Sequence, residues 1–192
     1  MKRDHLTCAV LGQPPMRFPW GFDEEDGGCR ELKLALAQKI MELRQHGVTR
    51  FAVVADCGIG LYAGECVNAL RQTDSELMLF VVTPHEEQAT KWAPYLRERY
   101  FKLLEDCTIM EAASHRKTPE CEYDACRKII DYADMVLAVY DPAAARADAV
   151  DRAMAYAKER TCPWSLCLRT RVADSEVIQS VQRDRSSAII CT

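Results

Sequence analysis

Nowhere does this 192-residue chain approach the roughly 18 consecutive apolar residues of a membrane-spanning helix, and the apolar run in its opening MKRDHLTCAVLGQPP is too short for a signal sequence. A cytoplasmic protein with no membrane partner is the expectation. Positive charge is not in excess either. The net charge is −4, with acidic and basic residues interspersed, so nucleic acid is not an expected partner. The ten cysteines contain no C-x-x-C pair. Cys121 and Cys126, like Cys162 and Cys167, are five apart, which turns the two thiols to different faces of a helix or strand and excludes a zinc knuckle; no metal is expected. Cys8, Cys57, Cys107, Cys162 and Cys167 lie in or beside apolar runs, as reduced, buried cysteines do, so a disulfide scaffold is excluded too.

What is present begins with Phe51–Glu65, FAVVADCGIGLYAGE. Phe51 to Ala55 suits a buried parallel strand, Asp56-Cys57-Gly58-Ile59-Gly60 a short turn, and a helix begins near Leu61. Gly58 and Gly60 would let backbone N–H groups approach a phosphate at the helix start. The pattern lacks the third glycine of a dinucleotide fingerprint and the Lys-Ser/Thr of a P-loop, so a tight strand-to-helix turn is the competing reading.

Further strands are predicted over Leu6–Leu11, ending in Gly12-Gln13-Pro14-Pro15, and over Leu77–Val82, stopped by Thr83-Pro84. Cys107–Ala112, Met135–Tyr140 (followed by Asp141-Pro142) and Trp164–Leu168 complete the set. Leu32, Leu36, Ile40 and Leu43 make one helical stripe closed by Gly47. Other helices are expected over Leu61–Leu70, His85–Glu105 with a break at Pro94, Cys121–Tyr132 and about Ala144–Arg160, with a modest one around Asp174–Arg183. Between Met16 and Gly28, Phe18, Trp20 and Phe22 either lid a pocket or anchor a long connection, and the acidic run Asp23–Asp26 reads as helix N-terminal charge. Alternating strands and helices predict an α/β, Rossmann-like doubly wound, mainly parallel sheet with helices on both faces. Residues 1–170 form its single domain and 171–192 a tail. A pocket then lies outside the carboxyl ends of the strands, where loops begin at Gly12, Asp56, Thr83, Ala113 and Asp141.

The ordered set Gly12-Gln13-Pro14-Pro15, Gly58 with Ala63 and Glu65, Val82-Thr83-Pro84 with Gln88 and Trp92, Arg99-Tyr100, and Asp131 with Asp134 before Leu137–Asp141 resembles the YpsA-like family (DUF1273) of the SLOG superfamily. Those Rossmann-like proteins are related to the lysine-decarboxylase-like LOG proteins and to the DprA domain. The resemblance covers roughly residues 6–170. It implies a small-molecule, nucleotide-derived ligand, ADP-ribose-like in the usual suggestion for the superfamily. A binding protein that reports occupancy to a protein partner is the reading favoured here, and a homo-oligomer is the other assembly considered. The ligand-binding candidates are Gly12, Gln13, Asp56, Cys57, Gly58, Gly60, Glu65, Thr83, Pro84, Gln88, Trp92 and Asp141.

Four departures accompany the matches. A family His-Arg pair is Gln13-Pro14 here, an acid is Gly60, a glycine pair with threonine is Ala145-Arg146-Ala147, and an Arg-Asn pair is Ala125-Cys126. They leave Arg127 or Arg146 to supply positive charge, or a vestigial pocket on a protein-interaction module. A nucleotide N-glycoside hydrolase using Glu65, like the LOG relatives, is the enzyme alternative, but the P-G-G-x-G-T-x-x-E loop of those enzymes is absent. Asp56 and Glu65 are the acids expected at the pocket mouth, to read a ribose hydroxyl or act as acid and base. Cys57, before a helix start, is the one thiol whose pKa the helix would lower. Trp92 and Tyr95 are either base-stacking or core residues, and His85 and His115 sit on pocket-side loops, whereas no role is assigned to His5 and His46.

Overall fold

The computed structural model describes residues 5–160, together with the backbone of 165–168 and 179–180. In chain order the elements are β1 (Leu6–Gly12), α1 (Gly27–Gln45), β2 (Val48–Val54), α2 (Ile59–Arg71), β3 (Met78–His85), α3 (Pro94–Asp106), β4 (Ile109–Ser114), α4 (Cys121–Tyr132), β5 (Met135–Val139), α5 (Ala149–Glu159), β6 (Ser165–Leu168) and β7 (Gln179–Ser180). The strands lie in the order β4-β3-β2-β1-β5-β6-β7, all parallel apart from β7. The chain winds outward from β1 to β4 and returns to place β5 on the other side of β1, so the direction of winding reverses between β1 and β5. That reversal leaves a crevice outside the carboxyl ends of these two strands.

Each central strand is apolar on both sides because both faces of the sheet are covered. Val10, Phe51, Val53, Leu79, Leu137 and Val139 pack with α1, α2 and α3, while Ala9, Leu11, Ala52, Val54, Val82, Val136 and Ala138 pack with α4 and α5. Cys29, Leu32, Leu36, Ile40 and Leu43 form the buried stripe of α1. Gly47 ends that helix at φ 94°, and Asp26, last of the acidic run, caps its start by accepting from the Gly28 N–H at 2.8 Å. Phe18 and Trp20 stack on each other 5.0 Å apart, and Phe18 is buried, so this loop is packed down on the domain.

Several boundaries depart from the sequence expectation: β2 starts three residues earlier, at Val48, and α2 two residues earlier, at Ile59, so that Gly60 of the expected turn lies in the helix. β3 continues through Pro84 to His85. Pro84 shares its side of the strand with Val82, whose carbonyl accepts from Ala55, and β2 has already ended there, so no ladder bond requires the missing N–H. β4 lies two residues later than expected, at Ile109–Ser114. The long helix expected from His85 is a single turn at Gln88–Lys91 followed by α3, with Pro94 in its first turn, where the absent N–H costs nothing. α5 begins at Ala149 instead of Ala144, because the Asp148 carboxylate captures the N–H groups of Val150 and Asp151 and so sets the helix start. In the tail, Gln179–Ser180 is a strand beside β6 where a helical stretch was expected; Cys162, Trp164, Cys191 and the remainder of 169–192 lie outside the described residues. No helix among the described residues is long and apolar enough to cross a membrane.

Candidate functional site

The crevice between β1 and β5 is stitched by Gln13. Its N–H donates to Val139 O at 3.0 Å, its side-chain oxygen accepts from the Asp141 N–H at 3.1 Å, and its amide donates to Arg17 O at 3.4 Å. Gln13 is 2% exposed. Beside it, Gly12 is required by packing. A Cβ there would stand 2.2 Å from the Cβ of Ile59, at the first turn of α2. Pro15 covers the Gly58 turn closely enough that a Cβ on Gly58 would lie 2.9 Å from its Cγ.

Asp56 lies two residues past the end of β2, and its Oδ1 accepts from the N–H groups of Gly58 at 2.6 Å and Gly60 at 3.1 Å. The backbone donors expected to meet a phosphate therefore meet the chain's own carboxylate. Burial, reinforced by the nearby Glu122 charge and only partly offset by these N–H groups, raises the Asp56 pKa to about 6. The folded protein thus keeps this proton up to about pH 6, whereas the unfolded chain releases it near the ordinary 3.8. The contribution of Asp56 to stability is present at low pH and is lost as pH rises across that window. Observation of the Asp56 carboxyl by 13C NMR is expected to give a midpoint near 6, and a midpoint at or below 3.8 would refute the burial argument.

The thiol of Cys57 is not activated by the helix. Burial and the adjacent Asp56 charge push it up to about 11, away from nucleophilic or redox chemistry at neutral pH. Cys29, Cys57, Cys66, Cys107, Cys121 and Cys126 are free thiols.

A cluster that sequence reasoning missed lies at the start of α5. Arg17, held in a single turn over Pro15–Arg17, has a side chain only 1% exposed. Its NH2 donates to both oxygens of Asp151 at 2.8 Å, and NH1 lies 3.4 Å from Asp148 Oδ2. Asp151 also accepts from the Tyr140 hydroxyl at 2.7 Å and from the N–H groups of Arg146 at 2.6 Å and Asp148 at 3.1 Å. Burial works to raise the Asp151 pKa, but Arg17, Tyr140 and the two N–H groups outweigh it and hold the carboxyl well below the usual range. Burial and Asp151 together push the Tyr140 hydroxyl up to about 12. The loop reaches this arrangement through Ala147, at φ 56° in the left-handed region. The available signal was a cation four residues after Gln13, close to where the family's lost cation had stood.

The other candidates are dispersed. Asp141 stands at the crevice and accepts from the Ala143 N–H at 3.0 Å. Thr83 is 3% exposed in β3, with Pro84 after it. Gln88 donates to Ala55 O, tying the turn after β3 to the Asp56 loop. Trp92 packs edge-on against Tyr100 at 5.2 Å on the α1–α3 side, and Tyr95 is half exposed. Glu65 lies almost two turns along α2, where both of its oxygens accept from Arg99, at 2.7 and 2.8 Å; Arg99 also holds Glu24. Arg127 lines a groove between α4 and β4 with Lys128 and Asp131, and Arg146 meets the cluster through its backbone. Ala125 and Cys126 are buried in α4. His85 ends β3, and His115 meets Glu86 at 2.6 Å on the surface.

Comparison with known proteins agrees with this architecture. A family model described as the YspA SLOG family matches residues 8–168. Among curated proteins, a UPF0398 protein of Halalkalibacterium halodurans is 32% identical over 95 residues, half of each chain. One of Bacillus licheniformis is 29% identical over 138 residues, 70% of this chain and 74% of the relative. The UPF0398 protein YpsA of Bacillus subtilis is 26% identical over 139 residues, 71% of this chain and 76% of its own. The match thus spans half the length of the first of these relatives and about three quarters of the other two. With a family match over most of its length and the doubly wound sheet that such a match implies, this chain belongs to the YpsA family of the SLOG superfamily.

Proposed function

We propose that this protein binds a nucleotide-related ligand in the crevice at the carboxyl ends of β1, β2 and β5 and reports its occupancy to a protein partner. The observation that carries the reading is the position of Asp56. It is the acid at the end of the strand beside β1, where open α/β sheets that bind nucleotides keep the carboxylate that takes a ribose hydroxyl. Family membership supports the same ligand class. Binding is favoured over hydrolysis because Glu65, the acid that a hydrolase would use, has both oxygens committed to Arg99.

Isothermal calorimetry with common nucleosides, their 5′-phosphates and ADP-ribose tests the proposal. At least one is expected to bind, and Asp56→Asn is expected to weaken it by about tenfold, or 1.4 kcal/mol. Absence of binding by every compound, or unchanged affinity in the variant, would refute it.

A second reading is a protein-interaction module with a vestigial pocket. The observation favouring it is that Pro15 and Asp56 already occupy the two sides of the glycine turn. Pull-down of a partner that is indifferent to every nucleoside and nucleotide would select this second reading.

A further inference from the structure

β4 closes one end of the sheet. It pairs with β3, and no strand among the described residues lies on its other side. The Thr108 N–H donates to Leu79 O of β3 at 2.9 Å, so the alternation of a strand turns the N–H and C=O groups of Ile109, Glu111 and Ala113 to the open edge. Such an edge is a template for another strand, and proteins that keep it single blunt it with lysine, proline or a bulge. β4 has none of the three. Its sequence IMEAAS carries one charge, Glu111, and α4 holds that charge back: Lys128 Nζ lies 2.6 Å from one oxygen and the Tyr132 hydroxyl donates to the other at 3.1 Å. Ile109, Met110 and Tyr132, each at least half exposed, are three of the nine large exposed hydrophobic side chains among the described residues, and they gather at this edge.

We propose that β4 pairs antiparallel with β4 of a second copy of this chain, joining two sheets into one across a two-fold axis. The occupant is argued from charge. Acidic residues precede the strand, Glu105 and Asp106 at the end of α3, and the exposed basic residues Arg116 and Lys117 follow it. A two-fold axis makes the two strands antiparallel, so the acidic end of each copy meets the basic end of the other, and the match is made twice. This chain therefore already carries both halves of a complementary pair. The register follows from the strand itself. An axis at Glu111 would set two carboxylates opposite each other, which is destabilising. An axis at Ala112 pairs Glu111 with Ala113 of the second copy. It also brings the two Ala112 residues together at the close spacing of about 4.5 Å between Cα atoms that small side chains allow. The interface is independent of the crevice, since β4 lies three strands from β1.

Sedimentation velocity on the full chain tests the pairing. The expected particle has twice the 21.8 kDa chain mass, with a dissociation constant of about 10 µM or tighter. Ile109→Lys and Ala113→Pro are each expected to raise that constant at least about tenfold. The first places a cation against the basic end of the second copy, and the second removes an N–H that β4 turns outward and β3 does not use. Circular dichroism melting of both variants checks that they are folded. Amide exchange followed by NMR on the unaltered chain needs no variant. The N–H groups of Ile109, Glu111 and Ala113 are expected to exchange at least about tenfold more slowly in the dimer than in the dilute monomer. A monomer at every concentration overturns the proposal, whether another segment or another protein covers the edge or nothing does. A dimer that both folded variants retain, or whose edge amides exchange as fast as those of the monomer, overturns β4 as the interface.

Discussion

Gly60→Ala is expected to lose about 3 kcal/mol or more of stability, seen as a lower urea midpoint with an unchanged slope. In an ordinary helix the same substitution stabilises by roughly 1 kcal/mol. The sign reverses because a Cβ at Gly60 would stand 1.8 Å from the carbonyl oxygen of Val54, and a backbone atom at the end of a central strand cannot swing aside as a side-chain tip can. α2 must therefore tilt away from β2, and Ile59, Leu61 and Ala63, all fully buried, lose their contacts with it. Gly27 is the control. A Cβ there meets nothing within 4 Å, so Gly27→Ala is expected to change stability by no more than about 0.5 kcal/mol. Equal effects at the two positions would refute the packing account. The same contact removes Gly60 as a probe of ligand binding, since a bulkier residue there damages the fold first.

Arg17→Met is expected to cost about 3–5 kcal/mol at neutral pH, the usual consequence of leaving one partner of a buried ion pair alone. Asp151, whose side chain is 10% exposed, would lose two charge-assisted hydrogen bonds, and Asp148 its nearest cation. Because Asp151 is depressed in the native protein, its contribution to stability is present at neutral pH and is lost as pH falls below its ordinary value of 3.8. In the variant the same carboxyl is buried without a counter-ion and takes up a proton more readily. The stability difference between wild type and variant is therefore expected to shrink as pH falls from 7 towards 4. Urea titrations at several pH values measure this directly; a difference that stays constant or grows towards low pH would refute the pairing. Arg17→Met with Asp151→Asn should recover part of the loss, since it removes the stranded charge.

These two expectations involve residues whose importance has different origins. Gly60 was read as a phosphate contact, and what requires a glycine is instead the approach of α2 to Val54. Arg17 drew no reading at all, because nothing in the Pro14-Pro15-Met16-Arg17 stretch reveals that its partner is 134 residues away. Glu65 was placed at the mouth of a pocket by its distance from the glycine turn, but α2 carries it to Arg99 of α3, 34 residues on. For Gly60 and Glu65 the residue type was informative and its contact was not; for Arg17 neither was.

By itself the sequence determined the alternation of strands and helices, the two-sided burial of the central strands, the stripe of α1 and the turns at Gly12, Asp56 and Asp141. Those features are periodicities and turn chemistry among consecutive residues, and each is written within a few positions of where it acts. The family's motif order is local in the same sense. Only the tertiary structure decided that β3 runs through Pro84, that α5 waits for Asp148, and that internal carboxylates hold the N–H groups of the glycine turn and of the α5 start. Each of these is settled by what neighbouring strands and loops bring alongside. A proline is tolerated where the adjacent strand has ended, and a carboxylate takes whichever donor the fold delivers, which a linear pattern does not specify.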